Sequence, residues 1–340
     1  MEYGQKVKAI EKEDRPAQGP SNTIPRYSLP SNGLLSLLPT SWVPYAELMR
    51  LDRPAGLYAF YVPYLIGLSY AARLASPSPS LENLFAYSVL FLIGSIILRG
   101  AACAWNDNVD QDLDRKITRC CLRPIARGAV TTTQGHLFTA ALTLAGMPLF
   151  LALPIECAYH AIPVTLLFAL YPFAKRVTNY PQVVLGFPFA WAVLMCCAAL
   201  GVDPFDAEVM APTMSLFAAN VLWTMIYDTI YAHQDIEDDV KAGVKSMAVR
   251  FADSTKLLVS FLAVVQVLLL AVAGWEAGFG LCYFVGTCVC TSIALAVKIT
   301  RVNLEEPASC AWWFHHGFWF VGGSVVMGLS GEYLARQRGW

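Results

Sequence analysis

Four aspartates, Asp107, Asp110, Asp112 and Asp114, crowd into the stretch LRGAACAWNDNVDQDLDRKITRCCLRPIARGAV, Leu98 to Val130, directly after an apolar run. If a helix continues through them, Asn106, Asp110 and Asp114 recur at i, i+4 and i+8 with Asp107 beside them. They then share one broad face, and Asp112 turns away from it. Arg99 and Cys103 carry that face back into the apolar run. A second acidic segment, YDTIYAHQDIEDDVKAGVKS from Tyr227 to Ser246, stacks Asp228, Tyr231, Asp235 and Asp239 at helical spacing and leaves Glu237 and Asp238 off the stripe. Carboxylates one turn apart repel, and each charge near a bilayer interior costs about 2.5–3.5 kcal/mol on insertion scales. Two such stripes call for a cation between them. Magnesium suits oxygen ligands, keeps several waters and binds through a few carboxylates plus substrate phosphates.

The elements that must hold these stripes are membrane helices. Of the 340 residues 56% are apolar and 14% charged, well below the charge of a soluble domain. Nine stretches approach the roughly 20 apolar residues that cross a bilayer. They run over 56–72, 84–104, 137–153, 159–174, 183–202, 213–231, 257–273, 278–297 and 311–329. Pro63, Pro148, Pro163, Pro172 and Pro188 interrupt them, as packed membrane helices allow, and no ten-residue alternation suggests a β-barrel. The expected fold is an all-α integral membrane bundle of nine transmembrane helices over 46–335, preceded by a disordered cytoplasmic tail over 1–45. Basic residues gather after even-numbered spans, among them Arg115, Lys116, Arg119, Arg123, Lys175, Arg176, Lys241, Lys245 and Lys298. The positive-inside rule then places those loops, and both acidic stripes with them, on the cytosolic side. The net charge of −1 suggests no nucleic-acid partner. Ten cysteines without CxxC spacing suggest neither a disulfide framework nor a zinc site.

Taken together, these residues resemble the UbiA-type membrane prenyltransferase family. Asn106, Asp107, Asp110 and Asp114 match its NDxxDxxxD pattern, and Arg119, Arg123, Pro124 and Gly128 match the RxxxRPxxxG stretch after it. Asp235 and Asp239 match its second motif, DxxxD. LMRLDRPAG (48–56) and YPFAKRVTNYPQVVLG (171–186) are similar to the 4-hydroxybenzoate polyprenyltransferase branch. The resemblance implies a nine-helix fold and Mg²⁺-dependent transfer of an allylic prenyl group from its diphosphate to an electron-rich aromatic carbon. It implies metal ligation by Asn106, Asp110, Asp235 and Asp239, with Asp107 and Asp114 as catalytic support. Arg99, Arg119, Arg123, Lys175, Lys241 and Lys245 become candidates for the diphosphate. Asp228 and Tyr231 become substrate-binding candidates, and Arg50 the candidate for an acceptor carboxylate. His233, His315 and His316 read as structural.

Two branches fit the resemblance. One attaches a short chain such as farnesyl to a polyketide-derived phenolic acid in fungal meroterpenoid biosynthesis. The other attaches a polyprenyl chain to 4-hydroxybenzoate for ubiquinone. The acids Glu2, Glu11, Glu13 and Asp14 make a poor mitochondrial presequence, which favours the first branch and an endoplasmic-reticulum or related membrane. The expected partners are an isoprenoid diphosphate, an aromatic acceptor and the lipid bilayer, with no obligate protein partner. A cation-coupled transporter would set its acids at mid-membrane on broken helices, whereas these stand at span ends beside Lys and Arg. A CDP-alcohol phosphotransferase would need a DGxxAR segment, which is absent.

Overall fold

The computed structural model describes residues 26–338, and among them the regular elements are all helical. Eight helices are long and apolar enough to cross a membrane: α1 (Ala55–Leu74), α2 (Leu81–Val109), α3 (Thr132–Ala152), α4 (Ile155–Val177), α5 (Pro181–Ala199), α6 (Ala207–Ala242), α7 (Met247–Glu276) and α8 (Leu281–Arg301). The ninth expected span is helical as well, through Pro307–Gly317, a π-type stretch Phe318–Gly322 and Gly323–Gln337, together α9. It is not among the eight, because His315, His316 and five glycines between 317 and 331 dilute its apolar side chains. The count of nine spans is therefore not confirmed, although the helical run is present.

Local sequence fixes where these helices begin. Ser80 caps α2 by accepting from the Asn83 N–H at 3.2 Å. Thr131 and Gln134 form a reciprocal box at the start of α3, and Asp206 caps α6 by accepting from Glu208 at 3.0 Å. Each satisfies backbone donors that a helix start leaves open. Outward faces carry apolar stripes at spacings of three and four, such as Ile162, Leu166, Leu170 and Phe173 on α4 and Leu257, Phe261, Val264 and Leu268 on α7. Side chains so placed suit lipid rather than water.

The centre is α5, buried at nearly every residue from Pro188 to Ala199 and packed between α4, α6 and α1. Close approach of α1 depends on Gly67: a Cβ there would stand 2.9 Å from the Ala192 carbonyl oxygen and from Cys196 Cβ. Small-residue contacts of this kind let membrane helices pack backbone to backbone. All ten cysteines are free thiols.

The stretch expected as a disordered tail differs in the part that can be described. Residues 26–45 include the 3₁₀ turn Leu34–Leu37 and the start of the helix Val43–Leu48, with Leu35 and Val43 buried against Ala46. Tyr27 donates to Glu47 Oε1 at 2.9 Å, under the Arg127 guanidinium. Residues 1–25 of that expectation lie outside the described residues.

Candidate active site

Both acidic segments bend where they reach the end of the bundle. Helix α2 stops at Val109, Asp110 has φ −91° and ψ 5°, and a single turn Gln111–Asp114 follows. Bonds from the Asp110 N–H to Asn106 O and from the Asp114 N–H to Asp110 O, both 2.8 Å, keep the i, i+4 relation through this bend. The stripe expected from sequence therefore survives. Asp107, Asp110 and Asp114 are all buried, while the Asp112 side chain is 54% exposed and paired with Arg176 at 2.6 and 3.0 Å. In α6 a 3₁₀ turn, His233–Asp235, interrupts the helix before Ile236–Ala242, and Gly243 at φ 75° ends it. Asp228, Tyr231, Asp235 and Asp239 still face one way. They line a cavity of about 560 Å³ that Asn106, Asp107, Asp110 and Asp114 line as well.

Four cations from three segments enter this cavity. Lys175 on α4 donates to Asp110 Oδ2 at 2.8 Å. Arg119 forms a fork on Asp235, 2.8 and 3.0 Å from its Nε, and donates to the Tyr231 hydroxyl at 3.2 Å. Arg123 donates to both oxygens of Asp114 at 2.8 Å and to Asp107 Oδ1 at 3.3 Å. Arg50 donates to Asp107 Oδ1 at 2.6 Å. Burial works to lower the Arg119 pKa, but the Asp235 bond and neighbouring groups override it and hold the guanidinium charged. Arg123 is likewise held up against burial by Cys120, Asp114 and Asp107. Burial pushes the Asp114 carboxyl up in spite of Arg123, whereas the Arg176 bond pulls Asp112 down to about 2.

Arg50 is presented in an unusual way. It adopts φ 57° and closes the helix Val43–Leu48 in the left-handed position that glycine usually takes. Arg99, 6% exposed, holds that turn by donating to the carbonyls of Arg50 at 3.0 Å and Arg53 at 2.6 Å. Gly56 makes room for it, since a Cβ there would lie 2.6 Å from Arg99 Nη2. Arg99 lines the cavity but spends two of its donors on backbone.

Three oxygens of cavity-lining residues, Asn106 Oδ1, Asp107 Oδ2 and Asp110 Oδ1, are buried and take no hydrogen bond, although Asp110 Oδ1 stands 3.9 Å from Arg176 Nη2. A buried unsatisfied oxygen is costly, and three on one wall fit a hard divalent cation. No group of three His, Cys, Asp or Glu side chains among the described residues converges as a ready cluster. The donors are split between two walls, as suits an ion completed by substrate phosphate.

Lys245 reaches the cavity rim, and its backbone N–H donates to the Lys175 carbonyl at 2.9 Å. Lys241 does not reach the cavity. Its side chain is exposed on the short helix after the 3₁₀ turn, apart from the other diphosphate candidates. His315, expected to be structural, lines the cavity beside Tyr58 at 5.5 Å between rings. His233 is buried on Thr255 at 3.0 Å. Sequence reasoning also passed over Gln182 and Gln234 on the cavity wall. Single amides carry no spacing signal.

The UbiA prenyltransferase family profile matches residues 60–322, most of the chain. The chain belongs to the UbiA prenyltransferase family. It is an integral membrane prenyltransferase, with relatives among named fungal prenyltransferases. It is 45% identical over 254 residues to prenyltransferase ascA of Acremonium egyptiacum, covering 75% of each chain. It is 38% identical over 311 residues to prenyltransferase stbC of Stachybotrys bisbyi, covering 91% of each. Among solved structures it is similar to an apo UbiA homologue from Aeropyrum pernix K1, with TM-score 0.62, 21% identity and coverage of 82% of this chain and 98% of that one. It is also similar to the Archaeoglobus fulgidus UbiA homologue bound to GPP and Mg²⁺, with TM-score 0.62, 17% identity and coverage of 86% and 99%. At these identities the two structures establish the fold of the UbiA homologue and nothing finer.

Proposed function

We propose that this UbiA-family enzyme transfers a farnesyl group from its diphosphate to a polyketide-derived phenolic acid, with Mg²⁺ as cofactor. The observation that carries the reading is the wall of unsatisfied oxygens, Asn106, Asp107 and Asp110, sharing one cavity with Asp235, Asp239 and four paired cations. The Archaeoglobus structure with GPP and Mg²⁺ supports the donor class and the metal. Named fungal prenyltransferases among the relatives support the secondary-metabolite branch over ubiquinone synthesis. An endomembrane location with cytosolic acidic loops accords with the basic even-numbered loops.

Asn106 and Asp110 on one side and Asp235 and Asp239 on the other would hold the metal, whose chemistry is to neutralise charge that grows on the leaving diphosphate. Arg119, Arg123 and Lys175 supply fixed positive charge to the same oxygens in a largely buried site, where it acts more strongly than in water. As the allylic C–O bond breaks, the rings of Phe60, Tyr171, Phe189 and Tyr227 on the cavity wall present π faces to the allylic cation. Those apolar walls also limit the water that would otherwise capture it. Arg50 orients the acceptor through its carboxylate, so that a ring carbon forms the new C–C bond and its proton leaves to an oxygen in the cavity. A panel of prenyl diphosphates crossed with phenolic acids, read by product mass, tests the reading. Farnesylated phenolic acid is the expected product, and prenylation of 4-hydroxybenzoate alone would favour the ubiquinone branch.

A further inference from the structure

Below the polar site lies a second, almost wholly apolar cavity of about 650 Å³ between α2, α3 and α4, open toward the lipid-facing side at Met147, Ile162 and Leu166. Two residues, Ala102 and Phe168, border both cavities. They stand directly beneath the charged groups on the same two helices. Ala102 is one turn below Asn106 on α2. Phe168 is seven residues, about 10 Å at 1.5 Å per residue, below Lys175 on α4. Phe168 is 7% exposed and its ring is fixed. It stacks on Phe60 at 5.2 Å and 13°, and meets Phe189 edge-on at 5.5 Å, while those two rings are 4.9 Å apart. A mutually packed aromatic triad resists displacement more than a lone side chain does. The Trp105 indole, which lines the second cavity, donates to the Ala169 carbonyl at 3.0 Å and ties α2 to α4 beside Phe168.

We propose that Phe168, braced by Phe60 and Phe189, sets the maximum length of the prenyl donor by closing the reaction cavity against the apolar cavity below it. The inference rests on the donor being an allylic prenyl diphosphate. A diphosphate held at the level of Asp110 and Lys175 directs its chain down the α2–α4 face, and the chain meets the Phe168 ring before it reaches the second cavity. Ala102, on α2, is the other residue that borders both cavities. Truncating Phe168 therefore joins two apolar volumes without disturbing any of the charged pairs above.

The test is the kcat/KM profile for geranyl, farnesyl, geranylgeranyl and geranylfarnesyl diphosphates with one phenolic acceptor, in wild type and Phe168→Ala. Phe168→Ala is expected to move the cut-off longer by at least one isoprene unit. The gain for the first donor that wild type rejects should be about tenfold or more, given that even one methylene misfit in an apolar pocket is worth about 10–200-fold. Leu149→Trp, filling the second cavity from α3, should leave the wild-type profile unchanged and abolish the gain in the Phe168→Ala background. If Phe168→Ala does not fold, Phe168→Leu should give the same shift at smaller size. Turnover in the variant with an unchanged donor profile overturns the inference, and so does a change confined to acceptor preference. Wild type that releases diphosphate from none of the four donors overturns the functional reading, and the inference with it.

Discussion

The Lys175 ammonium donates to Asp110 Oδ2 at 2.8 Å while Asp110 Oδ1, equally buried, takes no hydrogen bond. One carboxylate thus serves a fixed cation on α4 with one oxygen and leaves the other without a hydrogen bond, 3.9 Å from Arg176 Nη2. Asp110→Ala removes the free oxygen and strands Lys175. Turnover should fall about a hundred- to thousandfold, the usual cost of losing one group that stabilises developing charge. Asp239→Ala should do the same from the opposite wall. Because residues acting as a unit are not additive, the double variant should be little worse than either single one. Initial rates of the purified variants check this, and near-wild-type turnover of Asp110→Ala would contradict it.

Asp112 is the contrasting acid. Its carboxyl is held down to about 2 by Arg176, so the folded state binds its proton less readily than the unfolded chain. The stabilisation this provides is present above the ordinary carboxylate pKa, near 3.8, and is lost as pH falls toward 2. Since the side chain is 54% exposed, the pair contributes below about 1 kcal/mol. Asp112→Asn should keep wild-type turnover and lower the melting temperature slightly at neutral pH, with the difference vanishing near pH 2. Melts across pH in detergent read this directly.

Arg99 acts through the turn it holds. Gly56→Ala would place a methyl 2.6 Å from Arg99 Nη2, moving the guanidinium off the Arg50 and Arg53 carbonyls. A displacement of about 1 Å at a positioning group costs about a hundredfold in rate. That loss should appear in acceptor KM and kcat together, while donor affinity stays near normal. Arg99→Lys should not rescue the defect, because one ammonium does not reproduce the planar pair of donors. A normal acceptor KM in Gly56→Ala would refute this coupling.

The acid stripes were legible in the sequence because four-residue spacing survives a bend. The hydrogen bond from Asp114 to Asp110 O keeps register even though α2 ends at Val109. Lys241, a diphosphate candidate from the resemblance and not from the spacing, is exposed after the 3₁₀ turn at His233–Asp235, and no sequence period announces such a turn. Hydropathy placed eight spans, six of them within about five residues at each end, and stopped short of the helical ends at Ala242 and Met247. The ninth stretch, rich in His and Gly, shows that a run can be helical without reading as a clear span. Long-range partners were beyond reach. Nothing near Arg50 in sequence signals Asp107, and Phe168 reads as one more apolar residue until two cavities meet at its ring.

Arg50 carries its own prediction. Charge-assisted bonds contribute about 1.5–3 kcal/mol, so Arg50→Ala should raise the KM of a carboxylated acceptor about ten- to hundredfold with donor binding retained. An acceptor without its carboxylate should bind weakly to wild type and be indifferent to the substitution. Unchanged KM for the carboxylated acceptor would displace the aromatic site from Arg50 and leave the acidic walls as argued.

The central claim, that the two acidic walls hold a divalent metal against a prenyl diphosphate, is tested most directly by diphosphate release. Membranes carrying the wild-type chain are given farnesyl diphosphate and a phenolic acid, first in excess chelator and then with Mg²⁺ or Ca²⁺ restored. Release should be absent in chelator, return with Mg²⁺ and remain poor with Ca²⁺, whose larger and looser shell fits these few oxygens badly. Asp110→Ala and Asp239→Ala membranes should stay near background under all three conditions. Full release in excess chelator, or equal release from the Asp110→Ala membranes, would contradict the account.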